Sequence, residues 1–266
     1  MKISMSRREF IKKSTAAGLA VGLTSSNLFA QSSGSRKALV VYGGWKGHEP
    51  SIAPDLVIPW MEDNGFQVTS SESLDAYADK DLMNSIDLVV QTWTMGEISK
   101  EQSSGLLSAV KNGVGIAGWH GGIGDSFRNN PTYQYMVGGQ WVAHPGGQIE
   151  YEVNITDKKD TITRGMKDFT VQSEQYYMHV DPANKVLATT TFTDEHDPWV
   201  DGAVMPVVWK KMYGRGRVFY SALGHDSGDF KETREIFTLM QRGMKWVAES
   251  KYAQTPDLVS SVYPRR

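Results

Sequence analysis

A glycine-rich segment centred on His120 has the residue types and the spacing of a catalytic turn. Gly118, His120 and Gly122 form a G-x-H-x-G pattern directly after an apolar run at residues 114–117, which is predicted to be a buried strand. In α/β enzymes this spacing predicts a sharp turn from a strand into a helix, with the central side chain lifted above the edge of the sheet. A histidine in that position suits metal binding, acid/base catalysis or polarisation of a substrate. The structural alternative is a glycine-rich loop in which His120 only satisfies backbone groups.

Five of the six histidines lie in glycine-containing loops or at the ends of predicted strands: His48, His120, His144, His179 and His225. Each of them alone has an ordinary explanation as a satisfied or solvent-facing side chain. Three of them, His48, His120 and His225, stand next to a glycine and follow a predicted strand. Because ligands bind at the carboxyl ends of the strands in an open parallel sheet, we expect these three to converge on one site.

Composition excludes several kinds of chemistry and partner. The chain of 266 residues has no cysteine, which excludes disulfides, thiolate metal ligands and a cysteine nucleophile. Its 28 Lys and Arg against 30 Asp and Glu leave no basic surplus, so nucleic acid is not expected as a partner. With 40% hydrophobic residues, the composition is that of a soluble globular protein with a sizeable core.

The elements that must position these histidines alternate between strands and helices in the first half of the chain. Strands are predicted at residues 38–42, 66–68, 86–91 and 114–117. A helix is predicted from Pro54 to residue 64 with a kink at Pro59, and a second one after Ser99, which forms a capping box with Gln102. This alternation predicts an α/β fold, with a mostly parallel sheet and helices on both of its faces.

The second half of the chain is predicted to extend this sheet. An inserted loop is expected at residues 141–147, a strand at 148–156, a loop with a strand at 173–179, and a further strand at 185–192. Residues 207–210 and 217–221 form a clear antiparallel hairpin. The strongest amphipathic helix is predicted over residues 229–247.

Residues 1–30 have the pattern of a twin-arginine signal peptide. Arg7 and Arg8 lie in the sequence SRREFIKK, a mild apolar stretch follows at residues 16–23, and residues 28–30 resemble a cleavage site. The apolar stretch is too short and too interrupted to span a bilayer, so no stable membrane insertion is expected. We expect the twin-arginine translocon to export the chain to the periplasm. Residues 31–36 are expected to be a linker.

Four motifs carry a resemblance to a known family: VVYGG with GHE at residues 40–49, GWHGG at 118–122, SEQYY at 173–177 and GRVFYSALGH at 216–225. Together they resemble the trehalose-utilisation (ThuA-like) family. The resemblance implies one ThuA-like domain over residues 37–249, followed by a C-terminal tail at 250–266. It also implies a flavodoxin-like, class I glutamine-amidotransferase-like fold and a link to carbohydrate catabolism, including keto-sugar derivatives of disaccharides.

The resemblance implies a site at the His120 turn, but not amidotransferase chemistry. The amidotransferases carry a cysteine at this turn, and this chain has no cysteine. Carried over by position, four residues are expected to be catalytic and to hold any metal: His48, His120, Glu174 and His225. Others are expected to contact the substrate, the aromatic ones by offering flat faces to a sugar ring: Trp45, Trp119, Tyr176, Tyr177, His144 and His179.

Imidazoles with one carboxylate suit Zn²⁺ or another divalent first-row ion, with one coordination position open to substrate. The same residues could instead perform metal-free acid/base catalysis with Glu174 as the base. Both alternatives stay open on the residues alone. No nucleotide cofactor is expected.

Two classes of function follow. The first is an exported enzyme of carbohydrate catabolism that uses proton transfer on a sugar or keto-sugar, as an isomerase, epimerase, lyase or hydrolase. The second is a non-catalytic periplasmic carbohydrate-binding protein that retains an enzyme fold. Several convergent histidines favour the enzyme, because catalysis needs groups that titrate near neutrality.

Overall fold

The computed structural model describes residues 35–258. The predicted signal peptide, most of the predicted linker and residues 259–266 of the predicted tail lie outside the described residues. Among the helices of residues 35–258, none combines the length and the apolar character needed to cross a membrane.

Eleven strands form within the described residues: β1 (Arg36–Gly44), β2 (Phe66–Ser71), β3 (Leu88–Thr94), β4 (Gly115–Trp119), β5 (Gly139–Ala143), β6 (Gln148–Ile155), β7 (Phe169–Glu174), β8 (Tyr177–Val180), β9 (Lys185–Thr191), β10 (Val204–Tyr213) and β11 (Gly216–Ser221). Nine of them make one sheet in the order β2-β1-β3-β4-β11-β10-β9-β6-β7, and β5 pairs with β8 in a separate sheet. The pairs from β2 to β11 are parallel. The pairs from β11 to β7 are antiparallel.

The predicted α/β class, with parallel strands and an added antiparallel hairpin, is confirmed. The antiparallel part is larger than predicted, because β9, β6 and β7 continue the sheet beyond the β10–β11 hairpin. The parallel strands follow the apolar runs of the sequence, and residues 38–41 of β1 are almost completely buried. The narrower flavodoxin-like assignment stays a prediction.

Seven α-helices lie in the described part of the chain: α1 (Ile58–Asp63), α2 (Lys80–Ser85), α3 (Lys100–Lys111), α4 (Gly121–Gly124), α5 (Pro131–Val137), α6 (Ser227–Glu232) and α7 (Arg234–Ala248). The predicted capping box of Ser99 and Gln102 is present at the start of α3. Pro59 lacks the N–H that an α-helix needs, and a turn of π-helix, Ala53–Val57, precedes α1 at the predicted kink.

Helices cover both faces of the sheet at β11, because successive side chains of a strand point to opposite faces. The Phe219 ring lies against Gly243 of α7, so closely that a Cβ there would be 2.3 Å from the ring. The neighbouring Tyr220 ring lies against Gly124 of α4 and against Trp209. The core therefore extends on both sides of the strand that leads to His225.

Two sequence predictions about local structure are wrong in part. The first half of the expected loop at residues 141–147 belongs to β5, which pairs with β8. The expected single helix over residues 229–247 is two helices, α6 and α7, because Thr233 has an extended backbone with φ −115° and ψ 93°. The apolar periodicity continues through this break, since the rings of Phe230 and Phe237 still pack 6.0 Å apart.

Candidate functional site

The G-x-H-x-G segment forms the sharp turn that its spacing predicts. β4 ends at Trp119, His120 has φ 48° and ψ −140°, and α4 begins at Gly121. A positive φ is strained for a residue other than glycine, and such strain often marks functional positions. Gly121 is required by close approach, because a Cβ there would lie 2.4 Å from His48 Nδ1. The turn therefore brings two predicted site residues against each other.

Backbone and ring contacts determine which nitrogen of His120 is free. The Nδ1 atom lies 2.8 Å from the carbonyl oxygen of Ala222, which can only accept, so Nδ1 carries the proton and donates. Burial lowers the pKa of His120 to about 4, against the opposing hydrogen bond with Glu174. His120 is therefore neutral at pH 7, and its Nε2 presents a lone pair.

The structure brings together the four residues expected to form the core of the site. His48, His120, Glu174 and His225 are all buried and offer ligand atoms within 4.8 Å of one another. Glu174 Oε2 lies 3.0 Å from His120 Nε2, 3.3 Å from His225 Nδ1 and 3.7 Å from His48 Nε2. Each residue lies at or shortly after the carboxyl end of a strand. This cluster could hold a metal ion.

The chemistry and the close spacing of these atoms suit a divalent ion. Imidazole nitrogens and a carboxylate oxygen are ligands that Zn²⁺ takes in proteins. His225 Nδ1 lies 3.3 Å from His120 Nε2, close enough for one ion to contact both atoms. In addition, the lone pair of neutral His120 faces a carboxylate oxygen of Glu174, and two acceptors at 3.0 Å need a cation or a proton between them. The donor set is thus suited to a metal.

Comparison with known proteins identifies the family. The family model described as ThuA, trehalose utilisation, matches residues 37–247. The chain belongs to the ThuA family. No curated protein matches it.

Solved structures share the fold of this ThuA-family chain at low sequence identity. A ThuA-like protein from Parabacteroides merdae is 18% identical with a TM-score of 0.67, over 86% of this chain and 95% of that one. A second, from Bacteroides uniformis, is 17% identical with a TM-score of 0.66, over 80% and 91%. Gan42B, a GH42 β-galactosidase from G. stearothermophilus, is 14% identical with a TM-score of 0.50, over 78% of this chain and 30% of that one.

The charges of the ThuA-family cluster are set by burial and by mutual hydrogen bonds. Burial alone would raise the pKa of Glu174, but the three histidines around its Oε2 outweigh burial and hold that pKa well below its usual range. Burial alone would lower the pKa of His225, but the hydrogen bond with Glu174 outweighs it and the pKa is raised. In the absence of a metal, His225 is therefore more easily protonated than His120, and Glu174 stays ionised.

Two residues that the sequence analysis missed position the cluster. Thr94, at the end of β3, lies with its Oγ1 3.0 Å from His48 Nδ1. Asp229 Oδ2 accepts from Ser173 Oγ at 2.6 Å and from the backbone N–H of His225 at 2.8 Å. Asp229 thus joins the strand that carries Glu174 to the loop that carries His225. From the sequence, Asp229 was predicted only to be the first residue of the helix over residues 229–247.

His144 lies on the other side of the same carboxylate. Its Nε2 is 3.7 Å from Glu174 Oε1, and its ring is stacked over Tyr176 at 6.2 Å. The side chain is 35% exposed, in contrast to the buried cluster. Its Nδ1 is buried and has no hydrogen-bond partner among residues 35–258. One carboxylate therefore contacts the buried histidines through Oε2 and a solvent-accessible histidine through Oε1.

The remaining expected site residues fall into different environments. Trp45 is 47% exposed, with its ring 4.8 Å from that of His48, so it lies at the rim of the cluster. Tyr176 is buried and stacks on the His120 ring at 4.1 Å.

Three of the residues expected to contact the substrate lie outside the cluster or are buried in the core. Trp119 is only 2% exposed and packs against Phe230, so it offers no free face to a sugar. Tyr177 is half-buried against Phe192. His179 is exposed on β8 and is not part of the cluster.

Proposed function

We propose that this ThuA-family protein is a metal-dependent enzyme that moves a proton on a carbon next to a carbonyl group of a sugar, as an isomerase, epimerase or lyase. The observation that carries the proposal is the shared carboxylate of Glu174, with three buried imidazoles on one oxygen and the half-exposed His144 on the other. The sugar class rests on the trehalose-utilisation description of the family.

His48, His120, Glu174 and His225 would hold Zn²⁺ or another divalent first-row ion. When bound, such an ion polarises a carbonyl oxygen of the substrate and so acidifies the neighbouring C–H. Before any ligand arrives, Thr94 holds the His48 ring, the Ala222 carbonyl holds the His120 ring and Asp229 holds the backbone of His225. Because these groups are already positioned, they need little reorganisation during the reaction.

His144 is assigned as the proton acceptor, because its side chain is solvent-accessible while the facing Glu174 is buried among the three imidazoles. A carboxylate that holds a positive metal ion is also a weaker base than a free carboxylate. We therefore assign to Glu174 the roles of ligand and of orienting group, since Oε1 lies towards His144 Nε2. His144 Nε2 then takes and returns the proton. Trp45 at the rim excludes water from the bound sugar ring.

Solvent-deuterium exchange tests this function. The purified protein is incubated with a keto-sugar in D₂O, and deuterium at the carbon next to the carbonyl is measured by NMR, with metal content measured on the same sample. We expect about one divalent ion per chain and exchange that stops when the metal is removed by a chelator. Tight sugar binding without exchange or turnover would contradict the enzyme and support the carbohydrate-binding protein.

We also propose that the twin-arginine pathway exports the chain to the periplasm. Arg7 and Arg8 are the residues on which this rests. Replacing both with lysine is expected to leave the protein in the cytoplasm, because the charge is kept while the arginine pair is lost. Cell fractionation measures the distribution of the protein. An unchanged periplasmic yield would contradict this route.

A further inference from the structure

The loop of residues 193–203, between β9 and β10, presents a highly exposed indole. Trp199 is 88% exposed. Its backbone N–H donates to Asp197 Oδ1 at 3.2 Å, and the base of the loop is closed by hydrogen bonds of 3.0 Å between Phe192 and both Gly202 and Ala203. The exposed indole is therefore carried by a turn that hydrogen bonds hold in place. We call residues 193–203 the Trp199 loop.

The Trp199 loop contacts the two segments that carry His144 and Tyr176. The His196 ring packs on Gly146, where a Cβ would be 2.4 Å from the ring, and Gly146 is two residues after His144. At the base of the loop, the Phe192 ring lies 5.6 Å from that of Tyr177, which follows the Tyr176 that stacks on His120. Two separate contacts thus join the loop to the segments that carry the site.

The chemistry of the loop disfavours anions and suits a hydroxyl-rich ligand. Residues 193–203 contain four acidic residues and neither Lys nor Arg, and Asp194, Glu195 and Asp201 are exposed. Carboxylates accept hydrogen bonds from hydroxyl groups and repel anions. An indole gives a large flat apolar face that can pack on the C–H face of a sugar ring. Single exposed aromatic residues are common, but this one stands in an acidic loop next to a site of proposed carbohydrate chemistry.

We propose that Trp199 forms a distal subsite that binds the second, non-reacting ring of a disaccharide or longer glycoside. The proposal rests on the proposed function, since it assumes that the reacting ring lies at the histidine cluster. It makes a glycoside, rather than a free monosaccharide, the preferred ligand class. Binding energy from such a remote ring can be used to orient the reacting ring.

Calorimetric titration with trehalose and with glucose tests the subsite on the metal-loaded full-length protein. For Trp199→Ala we expect trehalose binding weakened roughly three- to tenfold, the usual size of a lost aromatic contact, and glucose binding unchanged. Trp199→Phe should retain part of the trehalose affinity, because a smaller flat ring remains. Tyr135→Ala, which removes another exposed aromatic ring, is the matched control and should bind both sugars as the wild type does.

Three results would overturn the subsite: unchanged trehalose binding by Trp199→Ala, an equal loss for glucose, or no trehalose binding by the wild type. Unchanged trehalose binding by Trp199→Ala would instead favour a protein partner for the exposed indole. The deuterium-exchange assay decides the proposed function separately. Trehalose binding that depends on Trp199 in a protein without exchange would keep the subsite and reject the enzyme.

Discussion

Replacing His120 with alanine is expected to weaken metal binding by on the order of 10²-fold or more. Even the substitution of a residue that only hydrogen-bonds to a metal ligand lowers metal affinity by about 10–100-fold. His120 Nε2 is aimed at the cluster by the bond from Nδ1–H to the Ala222 carbonyl, and neutral imidazole is the form that binds metals. Its pKa of about 4 means that no proton must leave it first at pH 7. Metal content after dialysis and titration with Zn²⁺ measure the loss.

The control for His120→Ala is His179→Ala, which removes an exposed imidazole outside the cluster and should keep the metal. An alanine at a φ of 48° is also strained, so a second variant is needed to distinguish loss of a ligand from misfolding. His225→Gln changes a residue without positive φ and should lose the metal to a similar degree. Wild-type affinity in both variants would contradict the metal site.

The same site predicts a direction for the pH dependence of metal binding. The pKa of His225 lies above its ordinary value because of Glu174, so a proton and a metal compete for its Nδ1. Metal affinity should therefore fall as the pH is lowered through the pKa of His225, and binding near that pH should release a proton. His120 does not contribute to this release until much more acidic conditions.

The convergence of three histidines could be predicted from the sequence because it follows from the topology of the parallel sheet. His48, His120 and His225 each follow a parallel strand, and the carboxyl ends of such strands meet at one edge. Glu174 lies at the end of the antiparallel strand β7, and no strand periodicity placed it there. Its inclusion depended on the SEQYY motif. The G-x-H-x-G turn was predictable because glycine spacing constrains the backbone directly.

The direction of individual side chains and the contacts between distant segments could not be predicted in the same way. Trp119 stands next to His120 in sequence, yet its ring lies in the core against Phe230, since the turn separates the two side chains. The bonds of Asp229 to Ser173 and of Thr94 to His48 join segments 56 and 46 residues apart. β5 was missed because its partner, β8, is also distant and both strands are short.

Replacing His144 with alanine should separate proton transfer from metal binding. His144 Nε2 faces Glu174 through Oε1, at 3.7 Å, whereas the three buried histidines surround Oε2, so these ligand atoms are expected to keep their positions without His144. We expect deuterium exchange into a keto-sugar to fall on the order of 10²-fold or more, the usual size of a lost acid/base group, with metal content unchanged. His179→Ala, which removes an exposed imidazole outside the cluster, is the matched control and should exchange at the wild-type rate.

The opposite outcomes of the His144 experiment distinguish the two bases that the site offers. Full exchange by His144→Ala would make Glu174 the base, and Glu174→Gln would then abolish exchange while metal binding changed little. Loss of the metal from His144→Ala would instead make this residue a ligand. If His144 is the base, Glu174→Gln should lose metal and exchange together, because one carboxylate both completes the ligand set and orients the imidazole that moves the proton.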